Sequence, residues 1–281
     1  MNRGRCLCGD IGWEYDGPVE SALNCHCTMC RKAHGSAFAS YVYGPDAQFR
    51  WTVGEDRVQQ FSSSAKGERA FCPRCGSVVP SLDDGYAFMP AGNMQADTDY
   101  VFGAHIFVAS KAPWHDITDN LPQHAEYPPG IETAPADDRP RTAPTAAAIG
   151  GSCLCGQVRF EFDLPFKRFV NCHCSRCRYS RSAAYSTQVF VDHHQFRWLS
   201  GENLIEGYKV PEAKAFAPAF CRDCGSLVPK VYSESVAVIP AGSLDDDPQS
   251  TPALHIFVDS KAPWYEIPDN IPQFAELPPR S

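Results

Sequence analysis

The stretch Cys25-His26-Cys27-Thr28-Met29-Cys30 packs three thiols into six residues and returns as Cys172-His173-Cys174-Ser175-Arg176-Cys177. A second set of doublets brackets each copy. Cys6-Leu7-Cys8-Gly9 goes with Cys72-Pro73-Arg74-Cys75-Gly76, and Cys153-Leu154-Cys155-Gly156 goes with Cys221-Arg222-Asp223-Cys224-Gly225. All 14 cysteines belong to this scheme. Each half holds an odd number, which internal disulfide pairing would strand, and a Cys-x-Cys pair lies poorly for bridging itself. Metal thiolate sites meet neither obstacle, so the cysteines read as ligands rather than disulfides.

The thiols are part of a whole-domain repeat. Gly4-Arg5-Cys6 matches Gly151-Ser152-Cys153 at an offset of 147, and Pro90-Ala91-Gly92 matches Pro240-Ala241-Gly242 at 150. His105-Ile106-Phe107-Val108 and Ser110-Lys111-Ala112-Pro113-Trp114 recur as His255-Ile256-Phe257-Val258 and Ser260-Lys261-Ala262-Pro263-Trp264. Copies of roughly 125 residues are domains, not solenoid units. We place the first at 1–127 and the second at 150–281. Between them, 128–149 is a Pro/Ala-rich linker that cannot bury a core. Strand signals dominate, at Ile11 to Tyr15, Phe38 to Tyr43, Tyr185 to Val191, Val236 to Ile239 and both His-Ile-Phe-Val runs. Only Arg31 to Ala33 and its counterpart invite a helical turn. The fold class is mainly β, in two tandem domains.

The spacing of the thiols argues for zinc. In extended chain, residues i and i+2 face one side. Cys6 and Cys8 therefore share a side, as do Cys25 and Cys27, and His26 points away as a polar strand or supporting residue. Cys72-x-x-Cys75-Gly76 is a metal knuckle whose glycine tolerates unusual φ. Seven thiols divide as four plus three. Cys6, Cys8, Cys72 and Cys75 close one tetrahedral site, and Cys25, Cys27 and Cys30 make another. Cys153, Cys155, Cys221 and Cys224, with Cys172, Cys174 and Cys177, repeat the division. A triplet leaves one coordination position open, the mark of a working zinc. It could equally stay empty or take a distant fourth ligand such as His105, and zinc would then be purely structural.

The net charge of -8 opposes binding to nucleic-acid backbones, which needs clustered Lys and Arg. No apolar run approaches a membrane span, and Met1 to Arg5 lack a signal-peptide pattern. The expectation is a cytoplasmic protein with reduced thiols and no membrane partner.

The order Cys-x-Cys-Gly, Cys-His-Cys-x-x-Cys-Arg, Phe-Cys-x-x-Cys-Gly-Ser and His-Ile-Phe-Val-x-Ser-Lys-Ala-Pro-Trp resembles the glutathione-dependent formaldehyde-activating enzyme (centromere protein V) family, in both copies. The resemblance implies a β-tent fold, a closed four-cysteine zinc and a three-cysteine zinc. It also implies a carbon–sulfur lyase or synthase that joins a small aldehyde to a small thiol such as glutathione, the thiol entering as fourth ligand. A thiol on Zn²⁺ is deprotonated, which makes it nucleophilic. The rival reading is a non-catalytic, zinc-stabilised protein-binding module.

The copies differ just after the triplet. Cys30-Arg31-Lys32-Ala33-His34-Gly35 keeps the family pattern, and Phe61 to Ser64 with Arg69 precede its knuckle. Cys177-Arg178-Tyr179-Ser180-Arg181-Ser182 loses the Lys and the Gly. The first repeat is therefore expected to be the more competent. His105 reads as a satisfied core histidine sharing a strand face with Phe107. Lys111 and Lys261 read as solvated rather than ligand-binding, and Trp114 and Trp264 as core caps. Asp116, Asp119 and Glu126 read as part of an acidic tail.

Overall fold

The computed structural model describes residues 1–64, 67–95, 100–129, 148–233 and 235–279, so most of the expected linker lies outside the described residues. The first repeat carries β1 (Asn2–Arg5), β2 (Gly12–Tyr15), β3 (Ser21–Cys25), α1 (Thr28–His34), β4 (Ala39–Pro45), β5 (Phe49–Val53), β6 (Gln59–Ser62), β7 (Glu68–Phe71), β8 (Ser81–Asp83), β9 (Tyr86–Pro90) and β10 (Ala104–Ile106). The second carries β11 (Ala148–Ser152), β12 (Arg159–Asp163), β13 (Arg168–Cys172), α2 (Ser175–Arg181), β14 (Ser186–Val191), β15 (Phe196–Ser200), β16 (Ile205–Gly207), β17 (Ala219–Cys221), β18 (Leu227–Val228), β19 (Lys230–Ser233), β20 (Val236–Pro240), β21 (Leu254–Ile256) and β22 (Gln273–Phe274). The protein is mainly β, in two domains, as its strand signals predict.

Each repeat sets a large sheet beside a small one. The first has the order β10-β3-β4-β9-β8 beside β1-β2-β5, and the second β19-β20-β14-β13-β21-β22 beside β11-β12-β15. Alternation drives this: in β12, Phe160 and Phe162 are buried while Arg159, Glu161 and Asp163 turn outward. The central strands end at the triplets. Cys25 pairs with Ala39 and, in parallel, with Ile106; Cys172 pairs with Ser186 and Ile256.

The helices are longer than the expected turn, for a reason the thiols supply. Cys27 and Cys174 are the N-caps: the Sγ atoms accept from the backbone N–H of Cys30 and Cys177. Gly35 and Ser182 end the helices in the left-handed conformation, with φ of 60° and 54°. Ser182 thus adopts the backbone of the glycine it replaces.

The His-Ile-Phe-Val runs are not continuous strand. Phe107 and Phe257 have φ of 58° and 57°, which ends β10 and β21 at the isoleucines. His105 and Phe107 therefore share no strand face, contrary to the alternation expected of four extended residues.

The repeats interlock through reciprocal contacts. Trp114 is buried in the core of the second repeat, edge-on to Phe169 at 5.6 Å, and Trp264 packs beside Phe102 at 5.1 Å on the first. Trp114 caps the neighbouring repeat's core, and Trp264 packs against both cores. An aromatic residue of this kind removes roughly 150–250 Å² from water, at most about 4–6 kcal/mol. The Pro-Ala-Gly motifs make a second exchange. A Cβ on Gly92 would lie 2.1 Å from Ala183 N, and one on Gly242 2.4 Å from Arg31 O and Ser36 N. The knuckle glycines make a third: a Cβ on Gly76 would strike Phe220 at 2.5 Å, and one on Gly225 Phe71 at 2.4 Å.

Candidate metal centres

Cys6 and Cys8 leave β1 through a tight turn, and Cys72 and Cys75 follow β7. Their four Sγ atoms converge within 4.8 Å, as do those of Cys153, Cys155, Cys221 and Cys224. Neighbouring sulfurs lie 3.4 and 3.6 Å apart in the first repeat (Cys6–Cys8, Cys8–Cys72) and 3.3 and 3.8 Å in the second (Cys153–Cys155, Cys155–Cys221). Four sulfurs at about 2.3 Å from a tetrahedral zinc would stand about 3.8 Å apart, so the donor sets fit that ion. Backbone amides aim at the sulfurs: Ile11 N–H donates to Cys6 Sγ (3.4 Å) and Val158 N–H to Cys153 Sγ (3.3 Å). The serine after each knuckle secures the doublets, Ser77 Oγ accepting from Leu7 N–H and Ser226 Oγ from Leu154 N–H. In the second centre, hydrogen bonds from Cys153, Cys155 and Cys221 hold the Cys224 thiol far below its ordinary pKa.

The triplets Cys25, Cys27, Cys30 and Cys172, Cys174, Cys177 also converge within 4.8 Å. Among the described residues no His, Cys, Asp or Glu joins either as a fourth ligand. Hydrogen bonds from Cys25 and Cys30 hold Cys27 well below the usual thiol range, and those from Cys172 and Cys177 bring Cys174 down to about 3. Each triplet therefore holds a ready thiolate at its helix cap, suited to a soft divalent cation.

His105 stands apart from the triplet. Its Nδ1 lies 2.8 Å from His26 Nε2, and its Nε2 lies 3.0 and 3.1 Å from the Asp119 carboxylate. The carboxylate fixes the tautomer: His105 Nε2–H donates to Asp119, and His105 Nδ1 accepts from His26 Nε2–H. The chain repeats as His173–His255–Asp269, at 2.8 Å and then 3.0 and 3.1 Å. His26 thus points away from its neighbours' sulfurs, and burial pushes its pKa down to about 2, with His115 next in effect. Sequence reasoning left Asp119 in an acidic tail. The recurrence of Asp-Asn-x-Pro-Gln at 119 and 269 was the signal that would have found it.

Other expectations sort plainly. Lys111 and Lys261 fold back to donate to the carbonyls of His115 and Tyr265. Lys32, whose loss in the second copy marked that copy as weaker, does not turn its ammonium toward the triplet. It crosses to the other repeat, donating to Asp245 Oδ1 (2.6 Å) and Ser152 O (3.0 Å). With Ser182 reproducing the conformation of Gly35, neither sequence difference alters the triplet directly.

What does differ is Arg69, which the sequence comparison sets ahead of the first knuckle without a role, and Tyr127, which it passes over. Arg69 Nη2 donates to Cys30 Sγ at 3.7 Å. Burial opposes its charge, but Cys30, Tyr41 and Cys27 more than restore it, and its pKa is raised. Tyr127 leans edge-on against Phe107 at 4.7 Å near the triplet thiols, and 39% of it stays exposed, which puts it at the rim. Leu277 takes its place in the second repeat.

Two tandem mainly-β domains, each with a four-thiol cluster and a largely buried three-thiol cluster, define a class of thiolate metal-site protein. The family model for the glutathione-dependent formaldehyde-activating enzyme matches residues 1–110 and again 148–260, and the chain belongs to that family. No protein of curated function aligns with the chain. A crystal structure of a Rhodobacter sphaeroides protein aligns at 17% identity over 34% of this chain and 90% of its own, with a TM-score of 0.30. Among the described residues no helix is long and apolar enough to cross a membrane.

Proposed function

We propose that the chain is a zinc-dependent carbon–sulfur lyase or synthase that joins a small aldehyde to a small thiol, formaldehyde and glutathione being the pair the family description names, and that the first triplet carries the turnover. The observation that supports it most is a buried set of three thiols with no fourth protein ligand among the described residues. Zn²⁺ held by three thiolates would lower the pKa of a thiol joining it, so that the sulfur is nucleophilic at neutral pH.

The chain's own residues do the rest. Cys27, capping α1, holds negative charge without a proton, and Cys30 carries Arg69 against it. The guanidinium balances the charge of the thiolate cluster, so an incoming thiol loses its proton into a site that is not net negative. Phe107 and Tyr127 form an apolar wall that keeps water from the reacting carbon. The sulfur then bonds to the carbonyl carbon, the carbonyl π pair moves to oxygen, and the thiol proton ends on that oxygen. No oxidant or reductant is consumed, and the reverse path releases aldehyde and thiol. Tyr127 facing the first triplet, where the second has Leu277, supports the first as the working centre.

Exchange NMR on an equilibrated mixture of formaldehyde and glutathione tests this. The zinc-loaded chain should speed exchange between free and hydroxymethylated thiol, and Cys27→Ser should abolish the gain. No acceleration by a fully loaded chain would overturn the reading in favour of a binding module.

A further inference from the structure

The second triplet is altered in a concerted way. Pro218 stands where the first repeat has Arg69, so the guanidinium of the first site has no counterpart there. A guanidinium is nevertheless present. Arg181, at the position of His34, comes from the last turn of α2, is 7% exposed, and donates from Nε to Ser186 Oγ at 3.1 Å. Burial holds its pKa below the ordinary guanidinium value, and Cys177, Tyr232, Cys172 and Cys174 pull the other way, favouring its charge. Gln188, at the position of Tyr41, donates from Nε2 to Cys177 Sγ at 3.6 Å and to Ser186 Oγ at 2.9 Å. Ser186 itself replaces Ala39. Among the described residues neither Arg69 nor Arg181 has a carboxylate within 4.0 Å.

Burying a guanidinium without a carboxylate partner is costly. A triplet kept only as a metal clip has no use for that outlay, because three thiolates and a divalent cation leave a single negative charge that protein amides can solvate. A fourth, anionic ligand changes the balance. It brings a second negative charge, and a cation in contact with the cluster then matters. The first repeat places that cation from β7 and the second from α2, so the ligand meets it from a different side.

We propose that the second triplet is a ligand site in its own right, taking a small thiol as its thiolate, with Arg181 and Gln188 as its specificity-determining residues. This rests on the reading that an open triplet receives a small thiol. The second site differs from the first in how it receives it: an amide and a helix-borne guanidinium replace a tyrosine and a strand-borne guanidinium.

Cobalt(II) gives a readout independent of turnover, because a thiolate joining a three-sulfur cobalt changes its sulfur-to-metal absorption, whereas the closed four-sulfur centres do not respond. The full chain is loaded with cobalt and titrated with glutathione, first as wild type and then as Cys27→Ser, which leaves the second triplet as the responding site. The Cys27→Ser chain should still respond. Adding Arg181→Met should weaken glutathione at least about tenfold, on the scale of a lost charge-assisted hydrogen bond, and Arg181→Lys should recover most of it. Gln188→Leu, which removes the amide without changing charge, should weaken binding by a smaller factor. The bands of the four-sulfur centres report whether each variant is folded. If the wild-type chain shows no response at all, the reading of both triplets as thiol sites falls. If only the Cys27→Ser chain is silent, or if Arg181→Met and Gln188→Leu both bind as tightly as their parent, this inference alone is overturned.

Discussion

The two four-thiol centres have stayed alike while the two triplets have diverged. The closed centres share sulfur spacings, amide donors and the serine that ties knuckle to doublet. Around the triplets, Arg69, Tyr41 and Tyr127 face Pro218, Gln188 and Leu277. The contacts explain the difference. Each knuckle glycine presses on the phenylalanine before the other repeat's knuckle, so a change in one closed centre is felt by both domains. The triplets sit at the strand ends, where surrounding side chains can change without moving the shared core.

That reciprocity makes the strongest prediction. Cys75→Ser and Cys224→Ser should each unfold both repeats, because structural zinc supplies about 10 kcal/mol or more of folding free energy and Phe220 and Phe71 lose their partner surfaces together. Circular-dichroism melts and zinc per chain would show it. A variant in which one repeat keeps a native melt would break the symmetry argued for the closed centres.

The triplets should behave differently from one another. Cys27→Ser should lower adduct turnover roughly 100-fold or more, the scale of losing a group that stabilises the reacting atoms. Cys174→Ser should leave most of the turnover, since the first triplet is the one with Tyr127 at its rim. Equal losses would mean that the second site also turns over and that the divergence concerns substrate choice alone.

Gly92→Ala and Gly242→Ala probe the seam between repeats. The added methyl would meet backbone, not a side chain that can swing away, so each should destabilise by about 3 kcal/mol, the upper end for overpacking. Urea melts of the zinc-loaded chain measure this. A tolerated Gly242→Ala beside an intolerant Gly92→Ala would show that the two halves of the seam are unequal.

The repeat made much of the molecule legible. Thiol spacing and repeat comparison were enough to mark both cysteine clusters in each domain, because a ligand set is local in sequence and leaves its register in both copies. What stayed hidden lies across the seam between the repeats. Nothing in Pro90-Ala91-Gly92 says that its partner is the end of the other repeat's helix, and nothing in Lys32 says that it reaches Asp245. The same holds for Arg181: as a helix residue it looks solvated, and only the fold turns it toward Cys177. Of the contrast first drawn between the copies, Lys32 and Gly35 describe the seam, while Arg69 belongs to the site.

The smallest effect tests the seam where it passes between the two sites. His34 bridges them, its Nδ1–H donating to Arg181 O (2.7 Å) and its Nε2 facing Tyr41 Oη (2.8 Å). Burial pushes its pKa down to about 4, only partly offset by the Arg181 carbonyl. The unfolded chain would titrate near 6.5, so between those values the unfolded state binds more protons than the folded one. The stability this neutral histidine supports is fully present above about pH 6.5. It declines by about 1.4 kcal/mol per unit as pH falls toward 4, so about 2 kcal/mol has gone by pH 5. His115, pushed down to about 3 by burial, contributes with the same sign. Urea melts between pH 7.5 and 5, with zinc content checked at each point, should therefore show a shallower slope for His34→Gln than for wild type. Arg181 occupies the matching position in the second repeat and keeps its charge across this range, so the His34 share of the acid sensitivity has no counterpart there; buried His173, pushed down to about 3, gives the second repeat a share of its own. Parallel slopes in the two proteins would mean that the folded state tolerates a charged ring between the helices, and the link from Tyr41 through His34 to the backbone of Arg181 would then be too loose to couple the sites.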